Sequence, residues 1–314
     1  MTSVIHLPAR GAPGAPPGGH SESKRARADL RKRVFPILLI LPAATLLAAV
    51  LIYPLLVALA DAFFEHSLLG PERSFVGLEN LINAVDKLWP LLRTTLLFAV
   101  PATVAPFLIG LVAALGLNQR MRGRAVLRSM LLFPWVLPGV VVSFLWLWIF
   151  DANYGVLNGV LRVGGVIDQN IGWLDTEGGA MLAVIVARTW ATFPWMMVML
   201  LAALQSFPAE VTEAAHVDGA NAVQRFRYVT WPSLRPVAGV VVMLEFIWNF
   251  QHFDTIYVLT GGGPARATTT FSLAVYETAF KGFDLGAASA IGFLWMLFLL
   301  PVVVLYLRRA EAQT

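Results

Sequence analysis

Glu213-Ala214-Ala215-His216-Val217-Asp218-Gly219-Ala220, closed by Thr230-Trp231-Pro232, is a short polar segment set between two long apolar ones. A charged, helix-forming loop in that position implies that the stretches on either side of it are buried in something other than water. The composition agrees: 58% of the 314 residues are hydrophobic and 13% are charged, with a mean hydropathy of +0.70. A soluble domain carries about 25% charged residues. This chain has too few to cover itself with a polar surface, so the bilayer is its solvent.

Working outward from the loop, six apolar segments are long enough to span, over 35–63, 91–117, 129–150, 180–204, 236–258 and 285–307. A span needs about 20 residues. Prolines inside them (Pro42, Pro54, Pro101, Pro106, Pro134, Pro138 and Pro194) predict kinks that neighbouring helices can satisfy. With hardly any β-alternation, the expected class is all-α integral membrane, a six-helix bundle. Residues 1–33 read as a basic, Pro/Gly-rich cytoplasmic tail, and 34–310 as one transmembrane domain with the polar loop at 205–235. The first span is too long for a signal-peptide core and is read as uncleaved. Outside the spans, Phe75–Leu81 reads as an interfacial amphipathic helix, and Thr260-Gly261-Gly262-Gly263-Pro264 as a tight turn.

Lys and Arg set the orientation. Seven lie in the tail, four in the 118–128 loop, three in the 205–235 loop and two at the C-terminus, against six on the other side. The positive-inside rule then puts both termini and the Glu213 loop in the cytoplasm of a multi-pass cell-membrane protein. The net charge of +4 is a topology signal and not a nucleic-acid footprint. There is no cysteine, which excludes disulfides, thiolate metal sites and a thiol nucleophile.

Within the loop, Ser206, Pro208 and Glu210 read as a helix start. The helix runs through Glu213, Ala214 and Ala215 to Asp218, and Gly219 is placed to end it in the left-handed conformation. Asn221 can cap a second short helix, carrying Arg225 and Arg227, that stops before Pro232. Small side chains at Ala214, Ala215 and Ala220 let another surface approach closely, and Glu213 and Asp218 can meet cations on it. The blander reading is a loop that is merely solvated.

Glu213-Ala214-Ala215, Asp218-Gly219-Ala220 and Pro232 stand where the EAA loop of ABC importer permeases has its motif residues, although Trp231 replaces the usual leucine. Phe253-Asp254-Thr255-Ile256-Tyr257-Val258-Leu259-Thr260-Gly261-Gly262-Gly263-Pro264 resembles the run after the fifth span in carbohydrate-importer permeases of the maltose-transporter type, on the side of the "F" partner. The resemblance covers nearly all of the chain except the tail. It implies that the loop is a coupling helix docked on a cytosolic ATPase. It further implies a second, homologous permease subunit, two ATPase copies and an extracytoplasmic sugar-binding protein. No cofactor is then expected on this chain, and ATP and Mg belong to the ATPase. Independently, the sequence has no Gly-x-x-x-x-Gly-Lys-Ser/Thr phosphate loop, so the chain is not expected to be an enzyme.

Ionisable groups inside spans are costly and mark function. Arg188 lies about 12 Å in from the outer end of the fourth span, and Glu245 about 14 Å in from the inner end of the fifth. Arg188, Thr192 and Trp195 are spaced i, i+4, i+7, as are Glu245, Asn249 and His252, with Trp248 alongside. Each set makes one stripe. Two polar-aromatic stripes could line a shared sugar path, or Arg188 and Glu245 could form an ion pair that only positions helices. Asp61 and Asp254 lie near span ends and are expected to be solvated. The rival functions are an ion-coupled secondary transporter, an importer of a phosphorylated polyol such as glycerol-phosphate, and a membrane enzyme. The last lacks any His-x-x-x-His pair or Gly-x-Ser-x-Gly elbow.

Overall fold

Apolar helices dominate the computed structural model, which describes residues 35–36, 38–119 and 121–311. The tail expected over 1–33 lies outside the described residues. Among the described residues, five helices are long and apolar enough to cross a bilayer, and six spans result if the one sharply bent pair is counted as a span. The chain up to Val57 and the chain from Ala58 onward form separate compact units. The first unit holds most of α1 (Leu38–Asp61), with a π-helical turn at Ala48–Ile52. The extra residue in that turn relieves the carbonyl that Pro54 would otherwise clash with.

Past α1, a two-stranded hairpin of β1 (Phe64–His66) and β2 (Arg73–Phe75) sets Phe64 opposite Phe75 and His66 opposite Arg73. This hairpin corrects two expectations. Asp61 is buried at 7% exposure, and its carboxylate meets Arg73 at 2.8 Å and His66 at 3.3 Å; folding the hairpin back is what carries both side chains to it. Phe75 belongs to a strand, so no interfacial helix covers Phe75–Leu81. The helix begins only at Glu79, after Gly77 turns the chain at φ +61, and the Asn80 amide donates to the Phe64 carbonyl at 2.9 Å.

From there α2 (Glu79–Ala99) and α3 (Pro101–Asn118) run as one 40-residue helix. At 1.5 Å per residue it reaches about 60 Å, roughly twice the hydrocarbon core, so the second span is the inner part of a longer rod. The third span is α4 (Arg124–Val136) and α5 (Gly139–Ile149), bent by 95°. The single span expected over 129–150 is therefore broken. Leu137 and Pro138 both have extended backbone, with ψ 139 and 138; Leu137 does so because a residue before proline avoids the helical region.

A short helix, α6 (Val156–Val163), leads to α7 (Glu177–Ser206), whose Thr176 cap accepts from the Gly179 amide at 3.2 Å. The polar loop supplies α8 (Ala209–Val217) and α9 (Ala222–Arg225). The fifth span, α10 (Trp231–Phe250), stops eight residues before the expected 258, and α11 (Asp254–Leu259) is a separate turn. At the break, the Ser272 hydroxyl donates to the His252 carbonyl at 2.8 Å. α12 (Phe271–Tyr276) and α13 (Leu285–Glu311) complete the chain.

The tight packing is between α3 and α7. Gly110 is buried there, and a Cβ on it would sit 2.9 Å from the Met197 nitrogen and 3.0 Å from the Phe193 oxygen. Glycine lets the two backbones approach, the usual means of packing helices in lipid. Phe250 stacks on Phe298 at 5.3 Å and on Phe271 at 6.0 Å, joining α10, α13 and α12. Toward the other end, Leu111, Leu117, Met197, Leu200, Leu201 and Leu234 join α3, α7 and α10.

Candidate functional site

The sequence points to two sets of residues, and each has a definite geometry. In the loop, α8 runs to Val217, and Gly219 leaves it with φ +80. The Ala220 amide donates back to Ala215 at 3.0 Å and the Gly219 amide to His216 at 3.1 Å, the helix-ending pattern that glycine in the left-handed region permits. Asn221 and Gln224 cap α9 reciprocally, at 2.9 and 2.8 Å. Arg225 donates to the Ala220 carbonyl at 2.7 Å and meets His216 Nδ1 at 3.2 Å, which locks the elbow between the two helices.

Two details differ from expectation. Ser206 does not cap α8; its hydroxyl bonds the Ala203 carbonyl at 2.9 Å, and Pro208 precedes the helix without a side-chain cap. Nor does the second helix stop before Pro232. It continues through a π-helical turn, Phe226–Thr230, into α10, forming one helix over Ala222–Phe250. The widened turn absorbs the missing proline donor and the carbonyl clash.

Glu213, Ala214, Asp218 and Gly219 are exposed, with Ala215 and Ala220 half-buried, and Val217 is 86% exposed. An apolar side chain so fully exposed on a polar loop is suited to contact another surface. Behind the helix, Glu213, Gln205, Asn118, Thr230 and Ser233 help to line a cavity of about 530 Å³ against the helix ends.

The membrane-level residues converge. Arg188 Nε donates to Asn249 Oδ1 at 2.6 Å, and its Nη2 to Glu245 Oε1 at 3.0 Å. Asn249 in turn donates to the Ala102 carbonyl at 2.9 Å and to Thr103 Oγ1 at 3.1 Å, and the Thr103 hydroxyl donates to the Ala99 carbonyl at 2.7 Å. Glu245 and Asn249 are each 1% exposed. The guanidinium therefore carries its charge on one carboxylate and one amide, and the cluster as a whole is neutral.

Trp195 meets Trp248 edge-on at 5.0 Å; Trp195 is 7% exposed and Trp248 42%. Thr192 is turned back onto the Arg188 carbonyl at 2.9 Å. His252 lies apart from the ion pair, stacked on Phe98 at 6.0 Å and bonded to the Thr255 hydroxyl at 2.8 Å. Thr103 and the Ala102 carbonyl, which complete the Asn249 set, carry no sequence signal: one hydroxyl and one backbone oxygen in an apolar helix look like packing.

Comparison with known proteins places the chain in a family. A permease protein of the trehalose/maltose transport system of Thermococcus litoralis is 36% identical over 86% of this chain and 92% of its own length. The sulfoquinovosyl glycerol transport permease of Agrobacterium fabrum is 34% identical over 89% of this chain and 91% of its own. A bacterial ABC transporter that imports the acidic polysaccharide alginate contains a chain that superposes with a TM-score of 0.77 at 19% identity, covering 92% of this chain and 99% of that one, so the two share a fold. Residues 107–310, which hold the polar loop and both polar stripes, match a known family, and the chain belongs to the binding-protein-dependent transport system inner membrane components.

Proposed function

We propose that this chain forms one half of the path of an ATP-driven sugar importer, with Glu213–Ala220 as the surface that receives motion from a separate ATPase. The observation that carries this reading is the exposed α8, ended by its elbow at Gly219 and with Val217 exposed, in a chain of this family. The family assembles around an external binding protein. The full complex would hold a second permease, two ATPase copies with their ATP and Mg, and that binding protein, with both termini of this chain in the cytoplasm.

Arg188, Glu245, Asn249, Trp195 and Trp248 are the side chains proposed to face the solute. Because Arg188 is already bonded to Glu245 and Asn249, the cluster offers hydrogen bonds and aromatic faces without net charge. That supports a neutral polyhydroxyl substrate over a phosphorylated polyol. His252 is proposed to flank the same path, and Thr192 to shape its wall.

The test is ATP-dependent sugar uptake by the complete complex, wild type beside Glu213→Ala and Gly219→Pro. Collapse of uptake with normal membrane insertion supports the coupling role. Normal uptake by both variants removes it and turns attention to an ion-coupled carrier, for which uptake in ATP-depleted vesicles is the direct check.

A further inference from the structure

A groove of about 370 Å³ lies between α3 and the exit of the coupling loop. Phe107, Leu108 and Leu111 form one wall, Phe226 and Trp231 the other, and Arg227 is the charged side chain that lines it. The other arginine nearby, Arg225, is spent on the loop. Arg227 is exposed, and among the described residues no carboxylate lies within ion-pair distance of it.

The depth fits a lipid. Leu111 is seven residues from the end of α3 at Asn118, about 10 Å at 1.5 Å per residue, so the groove runs from the interface into the hydrocarbon, and Arg227 can bury its stem there while keeping its head toward the interface. Arg122 follows α3, and Arg124 and Arg128 stand in the first turns of α4; such basic clusters at an inner membrane face attract anionic lipid.

We propose that this groove seats an acyl chain of an anionic phospholipid of the inner leaflet, with its phosphate on Arg227. The lipid then braces the π-helical turn Phe226–Thr230, through which the coupling loop enters α10. The inference rests on the inward orientation proposed above, but its readout needs no transport.

The complete transporter is placed in phosphatidylcholine nanodiscs, phosphatidylglycerol is titrated in, and the lipid retained is counted by native mass spectrometry. The wild type should retain phosphatidylglycerol in preference to phosphatidylcholine. Arg227→Gln should weaken retention about fivefold, the usual worth of one basic residue near an anionic surface, and Arg227→Lys should largely restore it. Leu108→Trp keeps the charge, fills the groove and should also lose the lipid. If Arg227→Gln fails to assemble, the lysine and tryptophan variants still decide.

Equal retention of the two lipids by the wild type overturns the proposal. So does displacement of the lipid by inorganic phosphate alone, which would mean a free-anion site. Efficient cross-linking of a Leu108→Cys variant to the partner permease also overturns it, because the groove would then be a subunit interface.

Discussion

Arg188 on α7 and Glu245 on α10 meet at 3.0 Å with the carboxylate almost wholly buried, and Asn249 ties the pair to the backbone of α3 through Ala102. Three spans are thereby joined at one polar point in an apolar bundle. The ion pair, one of the two readings that the sequence leaves open, is formed in this structure.

Removing one member of a buried pair leaves the other charge uncompensated, at a cost of about 3–5 kcal/mol, whereas replacing both by apolar groups is often neutral. Glu245→Ala should therefore lower the melting temperature of the purified complex markedly. Arg188→Met with Glu245→Leu should recover most of that loss yet remain inactive in uptake. A double variant that both folds and transports would reduce the pair to a helix clamp.

Asn249→Ala leaves the Ala102 carbonyl and Arg188 Nε each without a partner, and Trp195→Ala removes one ring of the Trp195–Trp248 contact. If these groups face the solute, both variants should insert normally but import poorly, with a loss on the order of tenfold or more, as expected for groups that bind the solute directly. Unchanged uptake and sugar affinity in both would take the cluster out of the path.

Val217 is 86% exposed on α8, the place where a docking partner would cover an apolar side chain. A buried anchor of this kind costs more than about 1 kcal/mol when lost. Val217→Asp should weaken recovery of the ATPase subunit with the tagged permease by about fivefold or more, while the permease level in the membrane stays the same. Co-purification at wild-type yield would mean that the ATPase sits elsewhere on the loop.

Gly219 has φ +80, and a Cβ there would meet nothing within 4 Å. The penalty for substitution is therefore purely conformational, about 1–2 kcal/mol for a residue held in the left-handed region. Asparagine tolerates that region and valine does not. Coupled uptake should fall in the order glycine, asparagine, alanine, valine. Equal activity across the series would show that the elbow has no part in transmission.

These contacts differ in how far the sequence exposes them. Glu245, Asn249 and Arg188 are legible because a charge in an apolar span has few alternatives, and their helical spacing fixes which face they share. Gly219 is legible because a glycine after a short helix has one common use. Pro232 misleads: a proline usually marks a helix boundary, but the π-helical turn before it removes the conflict. Asp61 misleads because Arg73 and His66 reach it only after the hairpin folds back. The 95° bend at Leu137 and Pro138 is legible as a kink but not in its size, since the proline sets the local backbone and the packing of α5 against α11 sets the angle.

The close approach of the α3 and α7 backbones yields a stability test. Gly110 lies inside α3, so alanine there would gain about 0.5–1 kcal/mol of helix propensity in the absence of neighbours. Its Cβ, however, would lie 2.9 Å from the Met197 nitrogen and 3.0 Å from the Phe193 oxygen. These are backbone atoms of a helix that moves only as a whole. Forcing atoms into a packed contact costs about 1–3 kcal/mol, so the clash outweighs the propensity. Gly110→Ala should lower the melting temperature of the complex, and Gly110→Val should lower it further or prevent assembly. Gly116 lies on the same helix, where an added Cβ would have no neighbour within 4 Å, and Gly116→Ala should be neutral or stabilising. A Gly110→Ala variant as stable as the wild type would mean that α3 and α7 are not held at this distance in the assembled transporter.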